Sequence, residues 1–297
     1  MNRTFNPFPI PNAPAPAQVT ENPLMQYFRQ PSIYIKLPSQ GKFYPKASLE
    51  QTVTGEFPVF PMTAIDEITY RTPDALFNGE AVVKVIQSCV PNIKNGWDIP
   101  ATDIDTILVA IRMASYGHEM DFETICPECG AEHDHSLDLR TVLDQMKSPD
   151  YTKSIQNGDM EIYFRPMSYK NLNDNNKLQF EAQKILQNVP TTPEETNPDN
   201  ANVYSQALIR ITEITVKALS QSIAAIKTPA AVVSEPDYIE EFLRNCDREV
   251  FNKIRDYVIN IKADSELQSI PITCADCQHQ FIQPITLDMS NFFGVAS

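Results

Sequence analysis

Cys126-Pro127-Glu128-Cys129-Gly130 and Cys274-Ala275-Asp276-Cys277 are the two stretches that decide how this chain must fold. Each is a C-x-x-C knuckle, in which two intervening residues let one tight turn aim both sulfurs at a single cation. Two knuckles supply the four ligands of a tetrahedral zinc ribbon. Cys126, Cys129, Cys274 and Cys277 are therefore the candidate metal ligands, with structural Zn2+ the implied cofactor. The surroundings repeat as well. Leu137 and Leu139 lie eleven and thirteen residues after Cys126, and Ile285 and Leu287 stand at the same offsets from Cys274. Each knuckle also follows a helical segment closely, which predicts two β-hairpins, each with a knuckle at its tip.

Residues 130–273, 144 positions, separate the two pairs, against about 15–20 in a contiguous ribbon. Loop-closure entropy rises only logarithmically with length, so an insertion of that size is permissible. The spacing leaves other arrangements open: four unbound thiols, two separate incomplete sites, or a mixed set drawing on His133, His135 or His279. Four thiolates leave no open position for a reacting water, so the expected zinc is structural. The H-x-E…P-C-x-x-C signature of zinc deaminases is not met, and His118-Glu119 does not begin an H-E-x-x-H helix. A nucleic-acid-binding zinc-ribbon regulator and a zinc-dependent hydrolase are the rival classes. No catalytic residues are assigned, and the chain reads as a non-enzyme.

Working outward, the 297 residues are 42% hydrophobic and 21% charged, ordinary for a globular protein with one or two cores. The eight glycines are too dispersed for a phosphate-cradling loop or a nucleophile elbow. With 24 basic against 38 acidic side chains the formal charge is −14, which repels phosphate backbones, and no basic run offsets it. The knuckles themselves are flanked by Asp121, Glu123, Glu132 and Asp134. Neither a nucleic-acid partner nor a small-molecule substrate is expected. No apolar stretch approaches the ~18–20 residues of a membrane span, and Met1–Pro7 lacks the apolar core of a secretory signal. A reducing cytoplasm follows, where closely paired cysteines point to metal rather than disulfides. His133 and His135 are expected to be exposed, Trp97 to be a loop anchor, and Cys89 and Cys246 to be buried core thiols.

Four segments are expected. Residues 1–32 form a Pro-rich extended arm, dotted with Phe5, Phe8, Ile10, Leu24, Met25, Tyr27 and Phe28 as anchors for a partner surface. Residues 33–149 form an α+β module carrying the first knuckle. It has strands at 32–37 and 56–61, a helix start at Thr72-Pro73-Asp74-Ala75 and a helix over 81–90. Thr102-Asp103-Ile104-Asp105 resembles a capping box opening a helix whose apolar face is Ile104, Ile107, Leu108, Ile111 and Ala114. Residues 150–265 form a helical insert. It begins with a strand at Met160–Phe164 and continues with helices near 202–226 and 248–262, with a polar loop at 191–202. Residues 266–297 form the second hairpin and knuckle. The fold class is α+β, mainly helical, with short antiparallel hairpins forming an interrupted four-cysteine zinc ribbon.

Several longer phrases then invite comparison. Leu37-Pro38-Ser39-Gln40-Gly41-Lys42-Phe43-Tyr44 is followed by Met62-Thr63-Ala64-Ile65-Asp66-Glu67, by Thr72–Gly79 and by Val85-Ile86-Gln87-Ser88-Cys89-Val90-Pro91. Together with the later C-x-x-C and the closing Ser290-Asn291-Phe292-Phe293-Gly294, this resembles the baseplate hub proteins of T-even-type contractile-tailed bacteriophages. The resemblance is strongest over about 33–130, with an echo at the C-terminus. It implies a non-enzymatic role in building the central hub of the tail baseplate through contacts with other baseplate and tail hub proteins. The implied location is the host cytoplasm during assembly, and then the virion tail.

Overall fold

The computed structural model describes residues 22–72, 79–187, 198–263 and 269–283. Most of the arm, the helix start at 73–78, the loop at 191–197, Ile285, Leu287 and the closing Ser290–Gly294 lie outside the described residues. Contacts divide the chain into two units, Met1–Gln30 and Pro31–Ser297. Within the first, Pro23–Tyr27 forms one 3-10 turn rather than the extended chain expected there. Pro23 needs no amide partner at a helix start, and the Asn22 side chain accepts the Leu24 N–H at 3.0 Å. Leu24, Met25, Tyr27 and Phe28 are all exposed.

The second unit is α+β, with eight α-helices and small antiparallel sheets among the described residues. It carries two hydrophobic cores. The first gathers β1 (Ile33–Ile35), β2 (Phe57–Val59), α1 (Ala64–Tyr70), α2 (Glu80–Cys89) and α3 (Ala101–Tyr116). β1 and β2 pair antiparallel, Ile35 opposite Phe57, and Pro58 is tolerated because this two-stranded sheet leaves each strand an open edge. α3 runs through the middle. Ile107, Leu108, Val109, Ala110 and Ile111 are each fully buried, so the helix's middle two turns are enclosed all round, while Asp105 near its start is exposed.

The capping box sits elsewhere than expected. Thr63 and Asp66 form it at the start of α1, the Asp66 carboxylate accepting the Thr63 N–H at 2.8 Å and Thr63 Oγ1 accepting the Asp66 N–H at 3.2 Å. α3 begins after Pro100 with no side-chain cap, its Ala101 N–H donating to Met167 O at 2.8 Å. Asp103 is thereby released for a tertiary task. Fully buried, it accepts the Ser39 N–H at 2.8 Å, the Ser39 hydroxyl, and the Tyr44 hydroxyl at 3.0 Å. These bonds pin the Leu37–Tyr44 turn, whose Gln40, Gly41 and Phe43 take positive φ, onto the central helix.

The second core lies on a four-stranded antiparallel sheet of β5 (Ser154–Asn157), β6 (Met160–Phe164), β7 (Ile223–Lys227) and β8 (Val232–Val233). α6 (Pro198–Ser222), α7 (Pro236–Asn245) and α8 (Arg248–Ala263) surround it, and α5 (Tyr169–Gln187) packs on α6 while Tyr169 joins the first core. The helix expected over 202–226 starts earlier, at Pro198, and stops at Ser222. Ile223 and Ile226 belong instead to β7, opposite Phe164 and Ile162. Their spacing of three fits a helix face, but pairing with β6 buries the same two side chains and prevails. Trp97 stacks on Tyr169 at 5.6 Å where α5 begins, as a loop anchor. Cys89 is fully buried, whereas Cys246 caps α7 half-buried, its thiol directed at Leu243 O. No helix among the described residues is long and apolar enough to cross a membrane.

Candidate metal centre

Two hairpins build the site. β3 (Glu119–Ile125) and β4 (Glu132–Asp138) pair in register from Ile125↔Glu132 to Glu119↔Asp138. β9 (Ile270–Thr273) and β10 (Gln280–Gln283) pair from Thr273↔Gln280 to Ile270↔Gln283. Their connecting turns, 126–131 and 274–279, are the same structure built twice. Cys126 N–H donates to Ala131 O and Cys274 N–H to His279 O, both at 2.9 Å. The N–H four residues after the leading cysteine then turns back, from Gly130 to Cys126 O at 2.9 Å and from Gln278 to Cys274 O at 3.0 Å. That fourth position takes positive φ in both turns, +72° at Gly130 and +60° at Gln278. Glycine adopts this conformation freely and glutamine at a cost.

The two turns meet tip to tip. Cys126 Sγ lies 3.6 Å from Cys277 Sγ, and Cys129 Sγ lies 3.6 Å from Cys274 Sγ. The leading, buried cysteine of each knuckle thus faces the trailing, exposed cysteine of the other. This reciprocity is that of a local two-fold axis. All four sulfurs lie within 4.8 Å of one another. A disulfide needs about 2.05 Å, so these are four separate thiols. Four sulfurs at about 2.3 Å from one ion stand about 3.8 Å apart along a tetrahedron's edges, and the two facing pairs at 3.6 Å match that spacing. The arrangement can hold a metal ion.

Backbone amides aimed at the sulfurs favour negative charge, and the crowding of the sulfurs opposes it. Cys274 is drawn down to about 6, first by the Cys277 N–H and further by His133 and the Asp276 N–H, against the opposing effect of desolvation. Cys277 moves the other way. The His279 N–H favours its thiolate, but desolvation and the three neighbouring sulfurs outweigh that and push it up to about 12. Cys129 is raised too: the Ala131 N–H favours its thiolate, and desolvation with Cys274 and Cys126 prevails. Four thiolates so close cannot form together unless a cation sits among them.

The expectation that His133 is exposed fails. Its side chain is 18% exposed, and Nε2 lies 3.3 Å from Cys274 Sγ and 3.9 Å from Asp276 Oδ2. His135, on the same face of β4, is also partly covered, its Nε2 buried. The sequence held one signal of this. His133 and His135 alternate with Glu132, Asp134 and Ser136, so the imidazoles share the inward face and the acids share the outward one. His279 belongs to the second turn and is half-buried. The remaining candidate, Ile285–Leu287 as strand partner, lies outside the described residues.

Fold and site together define an α+β scaffold whose distinctive centre is a thiol cluster joining two remote hairpins. The chain belongs to the family of T4 bacteriophage base plate proteins, which it matches over residues 30–294. That membership gives it a structural role in the baseplate, among phage proteins of the virion tail. No curated protein and no solved structure matches it.

Proposed function

We propose that this chain is a structural or assembly component of the tail baseplate hub, acting through protein contacts and without catalysis. Cys126, Cys129, Cys274 and Cys277 hold one structural Zn2+. Residues 150–265 are an insertion between the two halves of that ribbon, and the chain meets its partners in the host cytoplasm during assembly. One observation carries the metal assignment. Two cysteine pairs 144 residues apart in sequence are brought to within 4.8 Å of one another on turns of identical hydrogen bonding. Thiol clusters of this geometry bind zinc, and structural sites contribute ~10 kcal/mol or more to folding.

The hub assignment draws on family membership together with the order of the phrases Leu37–Tyr44, Met62–Glu67 and Val85–Pro91. Elemental analysis of the native protein should find one zinc per chain. Expression beside the other tail genes should return it in complexes with hub proteins rather than with sheath or tail-fibre proteins. Cys126→Ser and Cys274→Ser should each abolish both zinc and hub incorporation. Metal-free, stable serine variants that still assemble would overturn the structural-zinc reading, and consistent recovery outside the hub would overturn the placement.

A further inference from the structure

Four thiolates on one dication retain a net charge of about −2. The knuckles add the carboxylates of Glu128 and Asp276, in a chain whose formal charge is −14. Such a centre depends on donors aimed at sulfur. Backbone amides provide several: Ala131 to Cys129, His279 to Cys277, and Asp276 with Cys277 to Cys274. One side chain joins them. His133 Nε2 lies 3.3 Å from Cys274 Sγ, and Asp276 Oδ2, at 3.9 Å from the same nitrogen, is beyond hydrogen-bonding reach. The sulfur is therefore the atom that Nε2 engages, and it accepts when the ring carries its proton on Nε2.

We propose that His133 is the positioning residue of the metal centre: its Nε2–H donates to the Cys274 sulfur across the two hairpins and seats the second knuckle on the first. The inference rests on the metal reading above and goes beyond it. His133 is not itself a ligand, because the set of atoms lying mutually within 4.8 Å consists of the four sulfurs, which fill a tetrahedron. The bond also runs in one direction only. His133 stands opposite Thr124, two residues before Cys126, and the matching place opposite Ile272, two residues before Cys274, is held by Phe281. The first hairpin thus reaches for the second, and the second has no counterpart side chain with a donor at that position.

His133→Phe tests this with the residue that the fold already carries at the matching place. Outer-shell partners of this kind are worth about 10–100-fold in metal affinity. In the full-length chain, competition with a chelator should show His133→Phe binding zinc weaker by that factor. In the cobalt-substituted form, its thiolate-to-metal band should move to lower energy at undiminished four-sulfur intensity. His133→Gln, which keeps an N–H donor, should recover most of both. Unchanged affinity and band position in His133→Phe would overturn the proposal, as would equal losses in both variants, which would mark a packing role. A wild-type cobalt spectrum with three-thiolate intensity would make His133 a ligand and overturn it too. A wild-type chain that takes up neither zinc nor cobalt would instead overturn the metal reading on which the proposal rests.

Discussion

The two knuckles are the same turn on unequal foundations. The first hairpin grows out of the first core. Met120 and Phe122 pack against that core from β3, Leu137 is buried in it from β4, and the strand runs straight into α4 (Leu139–Gln145), where Leu139 and Val142 are buried. Among the described residues, the second hairpin has less to stand on. Ile270 touches the first core and Ile272 is buried, while Ile282 is 71% exposed. The difference teaches what the sulfurs are for. One hairpin would keep its place without them, and the other, among the described residues, leans on Cys274, Cys277 and the contacts they make.

Removing the metal should therefore break the symmetry of the pair, and this is the largest effect expected. If the four thiols hold zinc as proposed, a strong chelator would remove ~10 kcal/mol or more of binding free energy from the folded state. Amide exchange should then rise first in 270–283, while 119–138 keeps most of its protection and the sheet formed by β5 to β8 is unaffected. Equal loss of protection in both hairpins would show that the first core does not hold the first knuckle independently.

The pH dependence of metal uptake sharpens the same contrast. Cys274, at about 6, is already a thiolate at neutral pH, whereas Cys129 and Cys277 are raised and still hold protons there. As pH falls through about 6, Cys274 becomes protonated in the metal-free form, and each ion bound must displace one more proton. Affinity should fall by about an additional tenfold per pH unit below that point. Titration calorimetry in buffers of different ionisation enthalpy reads the proton count directly. A count that does not change between pH 5 and 7 would place the low-pKa sulfur elsewhere.

Smaller effects come from the turns. Nothing lies within 4 Å of where a Cβ on Gly130 would sit, so Gly130→Ala meets only the conformational cost of its φ of +72°. That cost is about 1–2 kcal/mol. Gln278 already bears it at +60°, partly offset by its side-chain amide donating to Ala275 O at 3.1 Å. Gln278→Gly should stabilise by about 0.5 kcal/mol once the flexibility of glycine in the unfolded chain is subtracted. Thermal unfolding of the two metal-loaded variants should move in opposite directions. Parallel shifts would mean that the turns are not equivalent.

The sequence carried the site more clearly than it carried the fold around it. Cysteine spacing is a local pattern with a definite chemical meaning, and it led to all four sulfurs despite the 144 residues between the pairs. What escaped was set by partners remote in sequence. Asp103 lies inside the Thr102–Asp105 stretch that reads as a capping box, but its partners Ser39 and Tyr44 lie about sixty residues away and hold it in the first core. Ile223 and Ile226 have a spacing that serves a helix, and only the presence of β6 makes them strand. The resemblance rested on Leu37–Tyr44, and that phrase is the turn Asp103 pins: a recognisable run of residues whose structural reason lies elsewhere in the chain. His133 escapes a local reading for a related reason. Surrounded by acids it reads as surface, until alternation along the strand is followed and the second knuckle is brought against it.

The acids themselves supply the smallest test. Alternation that turns His133 and His135 inward turns Glu119, Asp121 and Glu123 outward on β3, with Glu132, Asp134 and Asp138 beside them on β4. Two cross-strand pairs are like-charged, Glu119↔Asp138 and Glu123↔Asp134. The first is relieved by Arg140, whose guanidinium holds the Asp138 carboxyl down to about 2 through hydrogen bonds of 2.7 to 3.1 Å. No such cation is bonded to Glu123 or Asp134 among the described residues. The second hairpin has no like-charged pair, Thr273 facing Gln280 and Pro271 facing Ile282. Glu123→Lys converts a repulsive pair into an attractive one and should stabilise the first hairpin by about 0.2–1 kcal/mol, most at low salt. A chemical-denaturation series at two ionic strengths would check it. A gain that vanishes at high salt assigns the effect to charge. A loss at both would mean that Glu123 already has a favourable partner in the folded chain, and the first hairpin would then owe its stability to its surface as well as to its core.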